Sequence, residues 1–105
     1  MAQFAVHRNK NPHSREAFPY LLDVQHDLLS DLATRVVIPL RPSEPLAARA
    51  LRTLTPVLEI EGERFVLMTP QLAGILKSEL GPPVGRLESY RTEIIAALDL
   101  LVTGL

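Results

Sequence analysis

The sequence predicts a mainly β fold with one C-terminal α-helix, a small barrel or curled sheet against which the helix packs. Three observations carry that expectation. Runs of two-residue apolar alternation recur through the first two thirds of the chain, and two of them meet across a glycine. From Gly85 onward an apolar stripe spaced by three and four replaces the alternation.

Taken in order, Phe4-Ala5-Val6 is the first alternation and predicts a short strand, with the polar stretch Arg8–Arg15 as the loop after it. In "PYLLDV", Tyr20, Leu22 and Val24 share one face, which is strand periodicity. "TRVVIPL" is dense in β-branched residues and predicts a buried strand with Pro39 near its end. The clearest signal lies in Val57–Ile60 and Arg64–Met68, which flank Glu61-Gly62. A glycine in a two-residue connection supplies the positive φ of a tight hairpin. "SEPLAARALRTL" departs from its neighbours, because Leu46, Ala47, Ala50, Leu51 and Leu54 fall at helical spacing behind a possible Ser43 cap. A helical turn inserted between strands is the expectation there. "GPPVG" at 81–85 is expected to end whatever precedes it.

Leu87, Tyr90, Ile94, Leu98, Leu101 and Leu105 form the helical stripe, which Ile95 and Val102 widen. Arg86, Glu88, Arg91, Glu93 and Asp99 occupy the other sides. The expected organisation is one domain over residues 1–105, with the barrel at about 1–84 and the helix at about 86–103. Leu98 and Leu101 are expected to pack inward. Thr103 and Gly104 lie off the stripe and are expected to be exposed, Gly104 as a helix cap, a contact residue or both.

With 47% hydrophobic and 22% charged residues, the chain can bury a core. Its 11 basic and 12 acidic residues leave no net field toward nucleic acid or an anionic membrane, so neither is an expected partner. The absence of cysteine excludes disulfides, thiolate catalysis and cysteine-based zinc sites. There is no membrane-length apolar run and no signal-peptide pattern, and a cytoplasmic location is the expectation.

The three histidines, His7, His13 and His26, have no metal-ligand spacing. His26 lies between Asp23 and Asp27 in "DVQHD", a cluster able in principle to hold a divalent ion or to move protons. A solvated turn at a strand end fits the same residues better, since carboxylates beside a histidine are common on surfaces. "HSRE" at 13–16 has no nucleophile to activate. Phosphate-binding glycine loops and nucleophile elbows are missing, and 5% aromatic content is too little for a base-stacking platform. Tyr20 and Tyr90 are expected to turn their rings to the core and their hydroxyls to water. No catalytic residue, metal or cofactor is therefore expected, and the residues point to a protein that works by binding.

Several segments, in order, resemble the CcdB family of toxins: "QFAVH" at 3–7, "LLDVQHDLL" at 21–29, "RVVIPL" at 35–40, "LTPVLEIEGERFVLMTPQLA" at 54–73 and a helix ending in "GL". The resemblance implies an SH3-like β-barrel of the CcdB, Kid and MazF type, assembled as a homodimer. It also implies the toxin half of a type II toxin–antitoxin pair, one that binds the DNA gyrase A subunit and traps the cleaved complex. A small, partly disordered antitoxin would be the second partner. Kid and MazF use the same barrel as ribonucleases, which is the alternative activity, and a diverged member that only binds its antitoxin is a further one. The family grips gyrase with its chain terminus and helix face, where its Trp-Gly-Ile is matched here by Thr103-Gly104-Leu105. Asp99 stands where the family has an asparagine, Leu28 matches an aliphatic contact and His26 matches a serine. Thr103 offers no aromatic face. Removing a tryptophan hot spot costs at least about 2 kcal/mol, so the resemblance implies a weaker grip by a factor of tens or more.

Overall fold

The structure, a computed structural model, describes residues 2–43 and 52–104. Among these residues seven strands build one curled antiparallel sheet: β1 (Ala5–Asn9), β2 (Tyr20–Asp23), β3 (Thr34–Pro42), β4 (Val57–Ile60), β5 (Glu63–Leu67), β6 (Ala73–Leu76) and β7 (Leu80–Arg86). The helix α1 (Arg91–Thr103) follows. The sheet runs β4-β5-β3-β2-β1-β7, with β6 on β3. This is the curled sheet with one C-terminal helix that the alternation and the stripe predict.

β3 organises the sheet because it serves three neighbours. One edge pairs with β2, from Tyr20↔Leu40 to Asp23↔Val37. The other pairs first with β6, through Thr34↔Leu76 to Val37↔Ala73, and then with β5, from Leu40↔Leu67 to Pro42↔Phe65. Pro39 sits where that edge changes partner, so its missing N–H leaves no ladder bond unmade, and its carbonyl accepts from Met68 N–H at 2.9 Å. The strand thus runs through Pro39 to Pro42 instead of ending there.

The faces of β3 alternate. Ile38 and Leu40 join Val6, Leu22, Leu58, Phe65, Leu67 and Ile94 in the main core. On the other face Val37 packs with Leu21 and Leu80 in a smaller cluster. Tyr20 meets Phe65 edge-on at 5.1 Å between ring centroids. The Glu61-Gly62 hairpin forms as expected, with φ of 51° and 82°, so both turn residues are left-handed.

Four expectations differ from what is observed. β1 runs on to Asn9, because Arg8 pairs with Tyr20 and Asn9 N–H donates to the Pro19 carbonyl, so the loop begins later than the polar composition suggests. "GPPVG" is inside β7 and not a stop. Pro82 and Pro83 are tolerated because β7 has only β1 beside it among the described residues, with register shifts around the Pro83 pairing. Gly81 is needed there, since a Cβ would stand 2.8 Å from the Arg8 carbonyl oxygen. The helix begins at Arg91 and not near 86, because Arg86 still pairs with Ala5 and Leu87 N–H donates to the Phe4 carbonyl. A 3-10 turn, Glu88–Tyr90, bridges the gap, and the Tyr90 hydroxyl accepts from Glu59 N–H at 3.2 Å instead of facing only water. Of the helical turn expected over 43–54, residues 44–51 lie outside the described residues.

The innermost polar contact joins β2 to β3. Arg35 Nε and Nη2 donate to the two oxygens of Asp23 at 2.8 and 3.0 Å, with both side chains fully buried. Removing one partner of such a pair strands the other charge in the interior. Arg35→Met should lower stability by about 3–5 kcal/mol, whereas adding Asp23→Leu to it should recover most of the loss. Urea unfolding midpoints at constant slope measure both.

Candidate target-binding surface

The residues singled out by sequence fall into two groups. The first follows β2. Asp23 is held by Arg35, and its Oδ1 also accepts from Gln25 N–H at 3.0 Å. Gln25 is buried and clamps the next segment: its carbonyl accepts from Arg35, its Oε1 from Val36 N–H, and its Nε2 donates to the Leu29 carbonyl. These contacts set a 3-10 turn, Asp27–Leu29, on the surface. His26 caps it, its Nδ1 accepting from Leu28 N–H at 3.0 Å, and Leu28 is left 87% exposed. Asp27 accepts from Gln3 N–H at 2.7 Å.

The candidate His26–carboxylate cluster is therefore taken apart by the fold. Asp23 is buried with an arginine, Asp27 is spent on the N-terminal segment, and His26 caps a turn. Among the described residues no group of three histidines or carboxylates stands together as a metal site. His13 is on the surface, and His7 is buried against the Gly81 carbonyl at 3.0 Å.

The second group is the end of α1. Ile94 and Ala97 are fully buried and seat the helix on the barrel, with Ile95 and Leu98 partly buried beside them. At its start the Arg91 guanidinium lies over the Phe4 ring at 5.7 Å. Phe4 itself is held at φ 68° by two backbone bonds, its N–H to the Asp23 carbonyl at 2.6 Å and its carbonyl from Leu87 N–H at 2.8 Å. Phe4 thus ties the strand that precedes the first group to the approach to the helix.

Past Leu98 the helix leaves the barrel. Leu101 is 38% and Val102 79% exposed, which corrects the expectation that Leu101 packs inward and that Val102 widens the buried stripe. The reason is geometric: Ile94 and Ala97 centre the buried face, and the last turn projects beyond it. Asp99, Thr103 and Gly104 are exposed as expected. Thr103 Oγ1 donates to the Asp99 carbonyl at 2.6 Å, so these two are brought together. Gly104 adopts φ 73° and its N–H donates to the Leu100 carbonyl, a left-handed helix cap. Leu105 lies outside the described residues. Sequence reasoning missed Val102 as a surface residue, and only its offset from the Ile94–Ala97 line could have shown it.

The CcdB protein family model matches residues 3–104. The chain belongs to the CcdB family. The fold also has a solved likeness: an endoribonuclease in complex with its cognate antitoxin, from a Mycobacterial species, superposes with a TM-score of 0.74 at 19% identity, covering 100% of this chain and 96% of that one. At that identity the likeness concerns the fold.

The two ends of α1 should respond differently to substitution. Ile94→Ala should cost about 2–5 kcal/mol as a core truncation. Deleting residues 103–105 should lower the melting temperature by only a few degrees, since Thr103 and Gly104 are exposed and contribute little burial. Thermal unfolding of both variants reads the contrast directly.

Proposed function

We propose that the protein is the toxin of a type II toxin–antitoxin pair and acts by binding: a cytoplasmic homodimer that grips the DNA gyrase A subunit and traps its cleaved complex. The observation that carries this reading is the projecting end of α1, with Val102 79% exposed beside Thr103 and Gly104, in a chain of the CcdB family. Leu101 and Val102 are exposed side by side on the last turn, and contiguous apolar exposure of this kind suits a protein contact. Leu28 and His26 supply a second small exposed surface at the end of β2. The complex of the fold neighbour with its antitoxin supports an antitoxin as the second partner, which the family resemblance makes small and partly disordered.

Cleaved-complex trapping by purified gyrase tests the reading. Val102→Asp should abolish trapping while shifting stability by no more than about 0.5 kcal/mol, because the site is exposed. Thr103→Trp should strengthen trapping tenfold or more, since a stacked ring regains about 1.4 kcal/mol or better. Equal potency of wild type and Thr103→Trp would show that the terminus is not the grip. The endoribonuclease among its fold neighbours favours a second reading, RNA cleavage. Under the binding mechanism single-stranded RNA stays uncut; sequence-specific cutting abolished by His26→Ala would replace that mechanism with a ribonuclease one.

A further inference from the structure

The turn that presents Leu28 buries none of its three residues, Asp27–Leu29. Leu28, Leu29 and Leu32 stand 87%, 48% and 50% exposed within five residues of chain. Leucines gain by leaving water, so a free segment of this composition would collapse them onto the barrel. The turn's own backbone bonds run from Leu29 N–H to the His26 carbonyl and from Ser30 N–H to the Asp27 carbonyl, both at 3.0 Å. A single 3-10 turn is too short to hold itself against that collapse. Its placement has to be imposed by its surroundings.

Three separate elements impose it, all through polar contacts. Gln25, buried just past the end of β2, donates its Nε2 to the Leu29 carbonyl at 3.0 Å while its Oε1 accepts from Val36 N–H at 3.0 Å, so one amide joins the turn to β3. The N-terminal segment donates Gln3 N–H to the Asp27 carboxylate. From the far side comes Lys77, at the start of the 3-10 turn Lys77–Glu79 that follows β6. It is used twice: its N–H donates to the Ala33 carbonyl at 3.0 Å, and its ammonium donates to the Ser30 carbonyl. Carbonyls at the end of a helical turn have no partner within it, and a half-buried cation there makes a charge-assisted bond.

We infer that Gln25 and Lys77 are positioning residues for target recognition: they set affinity by fixing the turn in the place from which Leu28 meets the target. The inference rests on the reading of Leu28 as a contact residue given above. Gln25 is only 6% exposed, so it acts through the turn and not by touching a partner. A segment that is already ordered loses little conformational entropy when it docks, and loosening it weakens binding without removing a single contact atom. Lys77 lies 47 residues from the carbonyl it holds, which couples the turn to the connection between β6 and β7.

Gln25→Met removes both amide contacts at nearly constant volume. Lys77→Met keeps the side-chain stem and removes the charge, leaving β2 and β3 untouched, so it decides the matter alone if Gln25→Met does not fold. In each variant hydrogen exchange of the Leu29 and Ser30 amides should quicken by about tenfold or more. The Leu67 amide, bonded to the Pro56 carbonyl at 2.9 Å in β5, should exchange as in wild type. Calorimetric affinity for the purified gyrase A subunit should fall by about tenfold or more, and Lys77→Arg, which can still donate to Ser30, should restore it. Adding Leu28→Ala to Lys77→Met should weaken binding less than it does in wild type, because a leucine on a loosened turn contributes less. Unchanged exchange in Lys77→Met, unchanged affinity despite faster exchange, or full additivity with Leu28→Ala each overturns the positioning role and leaves the proposed target standing. A wild type that does not bind the gyrase A subunit overturns the target and this inference with it.

Discussion

The arrangement depends on one buried ion pair. Asp23 closes β2 and Arg35 opens β3, and their two-pronged contact fixes the register at which the strands meet. Arg35 reaches beyond Asp23 to the Gln25 carbonyl, and Gln25 in turn holds Val36 and Leu29. One guanidinium therefore positions both the start of the central strand and the surface turn that carries Leu28. Charges taken from water are stabilising only when their hydrogen-bonding capacity is met. Among the described residues Arg35 Nη1 finds no partner, so the pair is better understood as specifying geometry than as adding stability.

From that pair outward, β3 imposes a division of labour. Its first half supports β6 and its second half β5, with a proline at the changeover where no donor is needed. The main core fills one face and receives α1 through Ile94 and Ala97. Because those two residues anchor the middle of the helix, its final turn is left beyond the barrel. Exposure of Val102 follows from where the helix is seated, not from a local preference for solvent.

Legibility in the sequence followed how local each determinant is. The Glu61-Gly62 hairpin could be read from a handful of neighbouring residues, because its register and turn chemistry lie side by side. β3 was equally plain from its β-branched run. β6 and β7 were hidden: "AGIL" is too short to show a period, and two prolines in "GPPVG" argue for a stop unless the strand is known to lie at an edge. Arg35 gave no signal in the sequence because its partner is twelve residues away, and nothing local announces that an arginine is buried. The start of α1 was misplaced since Leu87 belongs to the apolar stripe while its N–H is already bonded to Phe4. As for the candidate surface, Leu28 could be named only through the family resemblance, whereas His26 stood out beside its carboxylates and Thr103 and Gly104 by lying off the apolar stripe. The exposure of Leu28 depended on the Gln25 contacts that set its turn, and that of Val102 on the tertiary seating of the helix.

The sheet's ends bear on what kind of assembly it permits. β7 carries Pro82 and Pro83 at one end, and a strand lacking two successive donors is a poor template for another chain. At the other end, the Tyr90 hydroxyl occupies the Glu59 N–H of β4. A β-rich protein with two receptive edges can add subunits indefinitely and become a filament. Among the described residues both ends of the sheet's main strand path are obstructed, and strand addition at either is disfavoured. The prolines that obscured β7 in the sequence thereby act as a guard against polymerisation.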